Sequence, residues 1–248
     1  MNAIIHNDCL NICKQVNDNF VDLIIIDPPY LTTDEKWDKE EVVTESLIKE
    51  LFRIAKPSCS LYCWCGIGES SQSLIRWFSI FSKLWKFKEL ITWKKCRGIG
   101  MRRGWLYTRE EIMWFVKDNK QFIWNKEFQY SDEKRPWSLN KKGGGLINKS
   151  EYKRLTNVWT DITEPGYGSS PQKYSKIKGF HFTPKPQKAI ERIILAHTQK
   201  NDTVFDCFVG SGTTAIVADK LNRQFIVGDN NGYYCRLLSE KLKLPFKT

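Results

Sequence analysis

Residues Val21 to Ile26 form an almost unbroken apolar run that closes on Asp27-Pro28-Pro29-Tyr30. A strand-length run with so little polar face must be covered on both sides, as a central strand of a parallel sheet is. The strand should therefore end by presenting one carboxylate, a proline-fixed backbone and an aromatic ring at the mouth of a sheet. That trio suits a flat, amine-bearing base, since the carboxylate accepts from the amino group while the ring stacks on the base face. The plainer reading is a strand-ending Asx-Pro turn with a buried tyrosine.

The surrounding pattern alternates strand and helix. A strand at Ala3 to His6 precedes a short helix from Asp8 to Val16, and the helix Glu40 to Ala55 stops at Lys56-Pro57 before a strand through Leu61, Cys63 and Cys65. A helix at Glu69 to Phe81 follows, with strands at Lys88 to Trp93 and Glu111 to Lys117. After Pro186 the order resumes: a helix through Ile190, Ile193 and Ile194, a strand Thr203 to Phe205, a helix to Leu221, a strand Gln224 to Val227 and a closing helix from Tyr233 to Leu242. This is an α/β chain built on a doubly wound, mostly parallel sheet. Between Asn125 and Lys178 hydrophobic periodicity fades and Gly143-Gly144-Gly145 punctuates a polar stretch too long for an ordinary loop. We read residues 1–124 and 179–248 as one catalytic domain and 125–178 as an inserted segment.

Charge narrows the partners. The 248 residues carry 39 Lys+Arg against 28 Asp+Glu, a formal net charge of +11, which favours polyanions. The inserted segment interleaves its lysines and arginines with Trp137, Tyr152, Trp159, Tyr167 and Tyr174, a composition suited to nucleic acid as well as to a solvated basic face. No membrane-length apolar run and no signal-peptide pattern stand out, so a cytoplasmic chain is expected. The eight cysteines form no paired C-x2-C knuckles; Cys59, Cys63 and Cys65 share one strand parity and read as small buried residues, and no metal is expected.

Asp206-Cys207-Phe208-Val209-Gly210-Ser211-Gly212-Thr213-Thr214 lies between a strand and a helix, where bare glycines let backbone amides approach a ligand. Asp229, at the end of the next strand, is placed to accept from two ribose hydroxyls. No lysine follows the glycines, so this is not a P-loop, and no third glycine supports a dinucleotide site. A nicotinamide oxidoreductase is disfavoured on that ground. If the strands ending at Ile26 and Phe205 are neighbours at the point where strand order reverses, the two motifs share one cleft, with Asp8 on its rim.

Asn7-Asp8-Cys9-Leu10, the Val21–Tyr30 stretch, Trp37-Asp38, His181-Phe182-Thr183-Pro184-Lys185-Pro186 and Asp206 through Thr214 occur in the order of a known family. In these motifs the chain resembles the S-adenosylmethionine-dependent DNA amino-methyltransferases, in the permuted class whose Asp-Pro-Pro-Tyr motif precedes the glycine loop. The resemblance covers most of the chain outside 125–178. It implies a catalytic motif of Asp27, Pro28, Pro29 and Tyr30. It also implies an S-adenosylmethionine pocket that includes Thr213 and Thr214, in which Asp206, Phe208, Gly210, Ser211 and Gly212 lie on the methionine side, with Thr183, Lys185 and Pro186 beside the methionine carboxylate. Asp229 would hold the ribose, Asp8 and the Cys9 amide the adenine, and Asp27 would border the donor. Asn7, Leu31, Cys207 and Asp229 depart from the usual glycine, asparagine, proline and glutamate.

The implied reaction is methyl transfer to the N6 amine of an adenine swung out of double-stranded DNA. The amine would donate to Asp27 and to the Pro28 carbonyl and be aimed at the donor methyl. Lys94, Lys95, Arg97, Arg102, Arg103, Lys141 and Lys142 are the expected DNA contacts. His6, His181 and His197 lack a catalytic context. The rivals are cytosine-N4 methylation, which the family tends to pair with serine at the Asp27 position, RNA as substrate, and a silent nucleic-acid-binding relative. The resemblance also admits a homodimer and a cognate restriction endonuclease as partners.

Overall fold

The computed structural model describes residues 2–32, 39–68, 71–99, 103–134, 152–164 and 184–247. Its nine-stranded sheet contains β1 (Ala3–His6), β2 (Val21–Ile26), β3 (Ala55–Cys65), β4 (Lys86–Ile99), β5 (Tyr107–Val116), β8 (Val158–Trp159), β9 (Thr203–Asp206), β10 (Gln224–Asp229) and β11 (Phe246–Lys247). The spatial order is β11-β1-β10-β9-β2-β3-β5-β4-β8. Every pairing is parallel except β3 with β5 and β5 with β4. The chain moves one way from β2 into β3 and the other way from β9 into β10, so the order reverses between β2 and β9. A crevice opens at the carboxyl ends of strands at such a point.

Helices cover both faces. All six β2 residues are buried, with Leu23 and Ile25 facing one core and Ile24 and Ile26 the other. The first core is completed by α4 (Gln187–His197), α5 (Thr213–Lys220) and α6 (Gly232–Leu242). The second is completed by α1 (Cys9–Lys14), α2 (Glu45–Ile54) and α3 (Ser73–Phe81). Each aliphatic side chain of β2 is worth roughly 1.5–3 kcal/mol on burial. Ile24→Ala would empty a closed site and cost about 2–5 kcal/mol. Cys59, Cys63 and Cys65 fill the second core together, as their shared parity requires.

Several elements begin or end differently from the sequence reading. The second helix starts at Glu45 because Thr44 caps it, its hydroxyl accepting from the Leu47 amide at 3.3 Å. Strand β3 starts at Ala55 and runs through Pro57. That is tolerated because the register jumps from Val21↔Ala55 to Leu23↔Ser60, leaving Pro57 in a bulge that owes no donor to the ladder. β4 and β5 are far longer than expected. β3 stops at Cys65, opposite Glu111, whereas β5 reaches back to Tyr107, so a two-stranded ribbon stands about 13 Å beyond the sheet rim.

The described parts of the 125–178 stretch are fastened to the main domain. β6 (Tyr130–Lys134) and β7 (Tyr152–Arg154) pair as a separate two-stranded sheet, but β8 joins the main sheet beside β4. The buried Trp159 lies under the Arg192 guanidinium at 5.0 Å, and Asp161 pairs with Lys188 and Arg192 on α4. No helix among the described residues is long and apolar enough to cross a membrane, and no His/Cys/Asp/Glu group among them could hold a metal ion.

Candidate active site

Strand pairing brings the two distant motifs side by side. Leu23 is in register with Val204 and Ile24 with Phe205, so Asp27 and the loop after Asp206 leave the sheet next to one another. On the other side Asp206 is level with Val227, and His6 is level with Asp229. Asp8, Asp229, Asp206 and Asp27 thus follow one another along a single rim, in the sheet order β1, β10, β9, β2.

The glycine loop is held from behind by two of these carboxylates. Asp206 accepts from the Phe208 amide at 2.9 Å and from the Thr214 hydroxyl at 2.6 Å. Asp229 reaches across to accept from the Gly210 amide at 2.9 Å, and its other oxygen takes the Asn231 amide at 2.9 Å. The loop turns through positive φ at Gly210 and Gly212, and a Cβ on Gly212 would lie 2.5 Å from Leu238. Burial pushes the Asp206 carboxyl up to about 7; the bonds from Thr214 and Phe208 oppose this, while the charges of Asp27 and Asp229 add to it. Asp8 caps α1, accepting from the Asn11 amide at 3.0 Å and from the Asn11 side chain.

Asp27 sits in a second constellation. Its Oδ1 accepts from the Tyr30 hydroxyl at 2.8 Å and its Oδ2 faces the Lys185 ammonium at 2.9 Å. Lys185 also meets Glu110 at 3.1 Å, the other Glu110 oxygen takes Lys95 at 2.8 Å, and Lys95 lies 4.0 Å from Glu164. Five side chains therefore alternate in sign along one largely buried line. Burial alone would raise Glu110, but Lys185 and Lys95 outweigh it and hold the carboxyl at about 2. Burial would lower Lys185, yet Asp27 and Glu110 keep it firmly charged. The Tyr30 ring meets Trp77 edge-on at 6.0 Å, and burial, with Asp27 beside it, keeps its phenol protonated. Tyr30 is half-buried rather than openly displayed.

The remaining sequence candidates divide. Pro186 opens α4, and Ser211 and Thr213 share a hydroxyl contact of 3.1 Å on the exposed side of the loop. Lys94 and Arg103 are exposed, whereas Lys95 is turned inward onto Glu110. Trp37, Asp38, Arg102, Lys141, Lys142, His181 and Thr183, and the Arg97 side chain, lie outside the described residues. Burial lifts the Cys9 thiol to about 12, so it is neutral and no nucleophile. His197 is enclosed, its Nδ1 donating to the Ile123 carbonyl at 2.7 Å and its Nε2 accepting from Tyr62 at 2.7 Å. Burial drops it to about 4.

Three participants escaped the sequence reading. Glu110 and Glu164 carry no motif, though an acid two places from an apolar strand face at Ile112 is a weak signal. Trp105 is 95% exposed at the end of the β4–β5 ribbon, beside the exposed Leu106 and Arg103. A tryptophan in the Arg- and Gly-rich stretch could have been singled out for its composition.

A family model described as DNA methylase matches residues 21–240, most of the chain. The chain belongs to the DNA methylase family. Among curated relatives of this methylase, Type II methyltransferase M1.MboII of Moraxella bovis is 33% identical over 94% of both chains. The DNA adenine methyltransferase YhdJ of Escherichia coli K12 is 30% identical over 95% of this chain and 80% of its own. Among solved structures, an M1.HpyAVI-SAM complex superposes with a TM-score of 0.62 at 21% identity, covering 97% of this chain and 100% of that one. The doubly wound fold and a DNA methyltransferase activity follow for this methylase.

Proposed function

We propose that this DNA methyltransferase uses S-adenosylmethionine to methylate the exocyclic N6 amine of an adenine turned out of duplex DNA. The observation that carries the reading is the adjacency of Asp27-Pro28-Pro29-Tyr30 to the Gly210–Gly212 loop at the reversal of strand order. The residues present fit a cationic nucleoside donor. Asp8, Asp27, Asp206 and Asp229 make the rim acidic, and the Gly210 amide that could cradle a phosphate is already given to Asp229. A pyrophosphate would meet repulsion there; a sulfonium, an α-ammonium and two ribose hydroxyls would not.

The holders are Asp206, Phe208 and Gly210 to Thr214 on the methionine side, with Thr183, Lys185 and Pro186 beside its carboxylate. Asp229 would hold the ribose, and Asp8 with Cys9 lies at the adenine end. S-adenosylmethionine supplies an activated methyl on a sulfonium. Asp27 accepts a hydrogen bond from the target amine and the Pro28 carbonyl a second, which localises the nitrogen lone pair and directs it along the line of transfer. As the new N–C bond forms and the donor's C–S bond breaks with release of the neutral thioether, the amine would become cationic, be stabilised by the Asp27 charge, and then lose a proton to solvent. Tyr30 contributes a ring edge and a fixed hydroxyl to the same wall. No covalent intermediate is required, in keeping with a neutral Cys9 and an enclosed His197.

Lys94, Arg97, Arg102 and Arg103, with Lys141 and Lys142 of the 125–178 segment, form the DNA face of this reading, and Lys95 serves it from within. Trp105 at the ribbon end supplies a stacking surface. We read 125–178 as the target-recognition segment, and a homodimer, a companion restriction endonuclease and a cytoplasmic, DNA-associated location belong to the same reading. Light scattering of the purified chain tests the dimer. The main test is chemical: duplex DNA treated with protein and labelled S-adenosylmethionine is digested to nucleosides. N6-methyladenine is expected and Asp27→Ala should abolish it; N4-methylcytosine, or undiminished transfer by Asp27→Ala, would overturn the assignment of base or of residue.

A further inference from the structure

Both oxygens of Asp27 are occupied, Oδ1 by the Tyr30 hydroxyl at 2.8 Å and Oδ2 by the Lys185 ammonium at 2.9 Å. An amine arriving at Oδ2 would share that oxygen with a cation while itself becoming one, and two like charges at hydrogen-bond range repel. Glu110 lies on the far side of Lys185, 3.1 Å from the same nitrogen. Lys185 already touches both carboxylates, so a shift of its ammonium away from Asp27 leaves it on a partner it has contacted from the start. Glu110 is held ready for this, since its other oxygen is fixed by Lys95 and Lys95 is backed by Glu164. Its depressed carboxyl pKa keeps it ionised and able to take a cation.

We propose that Glu110 is a positioning residue, the alternate seat to which Lys185 moves when the target amine enters, so that Asp27 is released to the substrate. The proposal rests on the methyl-transfer reading and deepens it. Asp27, Lys185 and Glu110 together carry one net negative charge; without Glu110, Lys185 would cancel Asp27 where the reaction develops positive charge. The charged or titratable groups facing Lys185 are Asp27, Glu110 and Tyr30, so no other described group provides the second seat.

Single-turnover methyl transfer at saturating S-adenosylmethionine and DNA separates this role from mere bracing of the β4–β5 ribbon. Glu110→Gln should slow transfer by roughly tenfold or more, with cofactor affinity changed by less than about threefold, and Glu110→Asp should restore part of the rate. Removing the lysine as well, in Glu110→Gln/Lys185→Met, should make transfer faster than in Glu110→Gln alone. A bracing role gives the opposite order, because the double variant loses more contacts. A normal rate in Glu110→Gln, or a double variant no faster than the single, overturns the proposal. If Glu110→Gln does not fold, the double variant is compared with the unsubstituted protein: a loss below about thirtyfold supports the seat, and a larger loss overturns it. If the unsubstituted protein transfers no methyl group, the methyl-transfer reading has failed instead.

Discussion

Asp206 should make cofactor binding depend on pH. Burial holds its carboxyl at about 7, and the neighbouring Asp27 and Asp229 charges add to that. A bound sulfonium and α-ammonium favour the ionised form, so binding must be accompanied by loss of the Asp206 proton. The affinity then scales as the fraction already ionised. Between pH 5.5 and 7.0 that fraction rises from about 0.03 to about 0.5 for a group titrating at 7, so the association constant should increase roughly sixteenfold. The window lies below the ordinary titration of an α-amino group, which therefore stays charged throughout. Calorimetric titration at several pH values, in buffers of different ionisation enthalpy, would report both the slope and the proton released. Asp206→Asn keeps the acceptor for the Phe208 amide and removes the titration, so its affinity should be nearly flat with pH. An unsubstituted protein with constant affinity, or an Asn variant with the same slope, would refute the reasoning.

Asp206 and His197 also set opposite pH dependences of stability. The Asp206 pKa is raised on folding, so its contribution is present below about 4 and lost as pH rises through 7; the His197 pKa is lowered to about 4, so its contribution is present above about 6.5 and lost as pH falls through 4. Asp206 is worth on the order of 4 kcal/mol and His197 on the order of 3, and between them they offset in part. Asp206→Asn should therefore expose the histidine, with a thermal midpoint that falls more steeply from pH 7 to 4.5 than in the unsubstituted protein; parallel curves would contradict this. Asp229→Ala frees the Gly210 amide and removes the ribose acceptor, and the cofactor dissociation constant should rise at least about tenfold by titration. An unchanged constant would remove Asp229 from the pocket. Trp105→Ala should weaken duplex binding by about 1–3 kcal/mol in a fluorescence titration while leaving cofactor affinity alone; undiminished binding would show that the ribbon end does not meet DNA.

The sequence made the β2/β9 crevice legible because both strands are short, wholly buried and closed by turn-forming residues. An apolar run followed by Asp-Pro-Pro or Asp-Cys-Phe-Val-Gly leaves little choice of local structure. The carboxylates at strand ends could be placed for the same reason. Their partners could not. That Asp229 crosses to the Gly210 amide, and that Glu110 meets Lys185 across 75 residues, depends on strand order and register, which hydrophobic period does not encode. The full length of β4 and β5 was hidden because their outer halves leave the sheet, carry polar residues on both faces and lose the alternation that marks a half-buried strand. Lys95 read as a surface cation for want of the one fact that decides its direction: the glutamate facing it.

The sheet's outer half has a consequence for biogenesis. β1 has its neighbours in β10 and β11, and β2 lies between β3 and β9. β1 therefore waits for residues 224–247, whereas β2 can pair with β3 early and lacks only its other neighbour until residues 203–206 are made. The nascent chain can assemble β2, β3, β5 and β4 early, but β1 and the outer flank of β2 stay unpaired, in need of protection from aggregation, until β9, β10 and β11 follow. A chain cut short before β9 would thus retain Asp27 without the Asp206–Thr214 loop beside it.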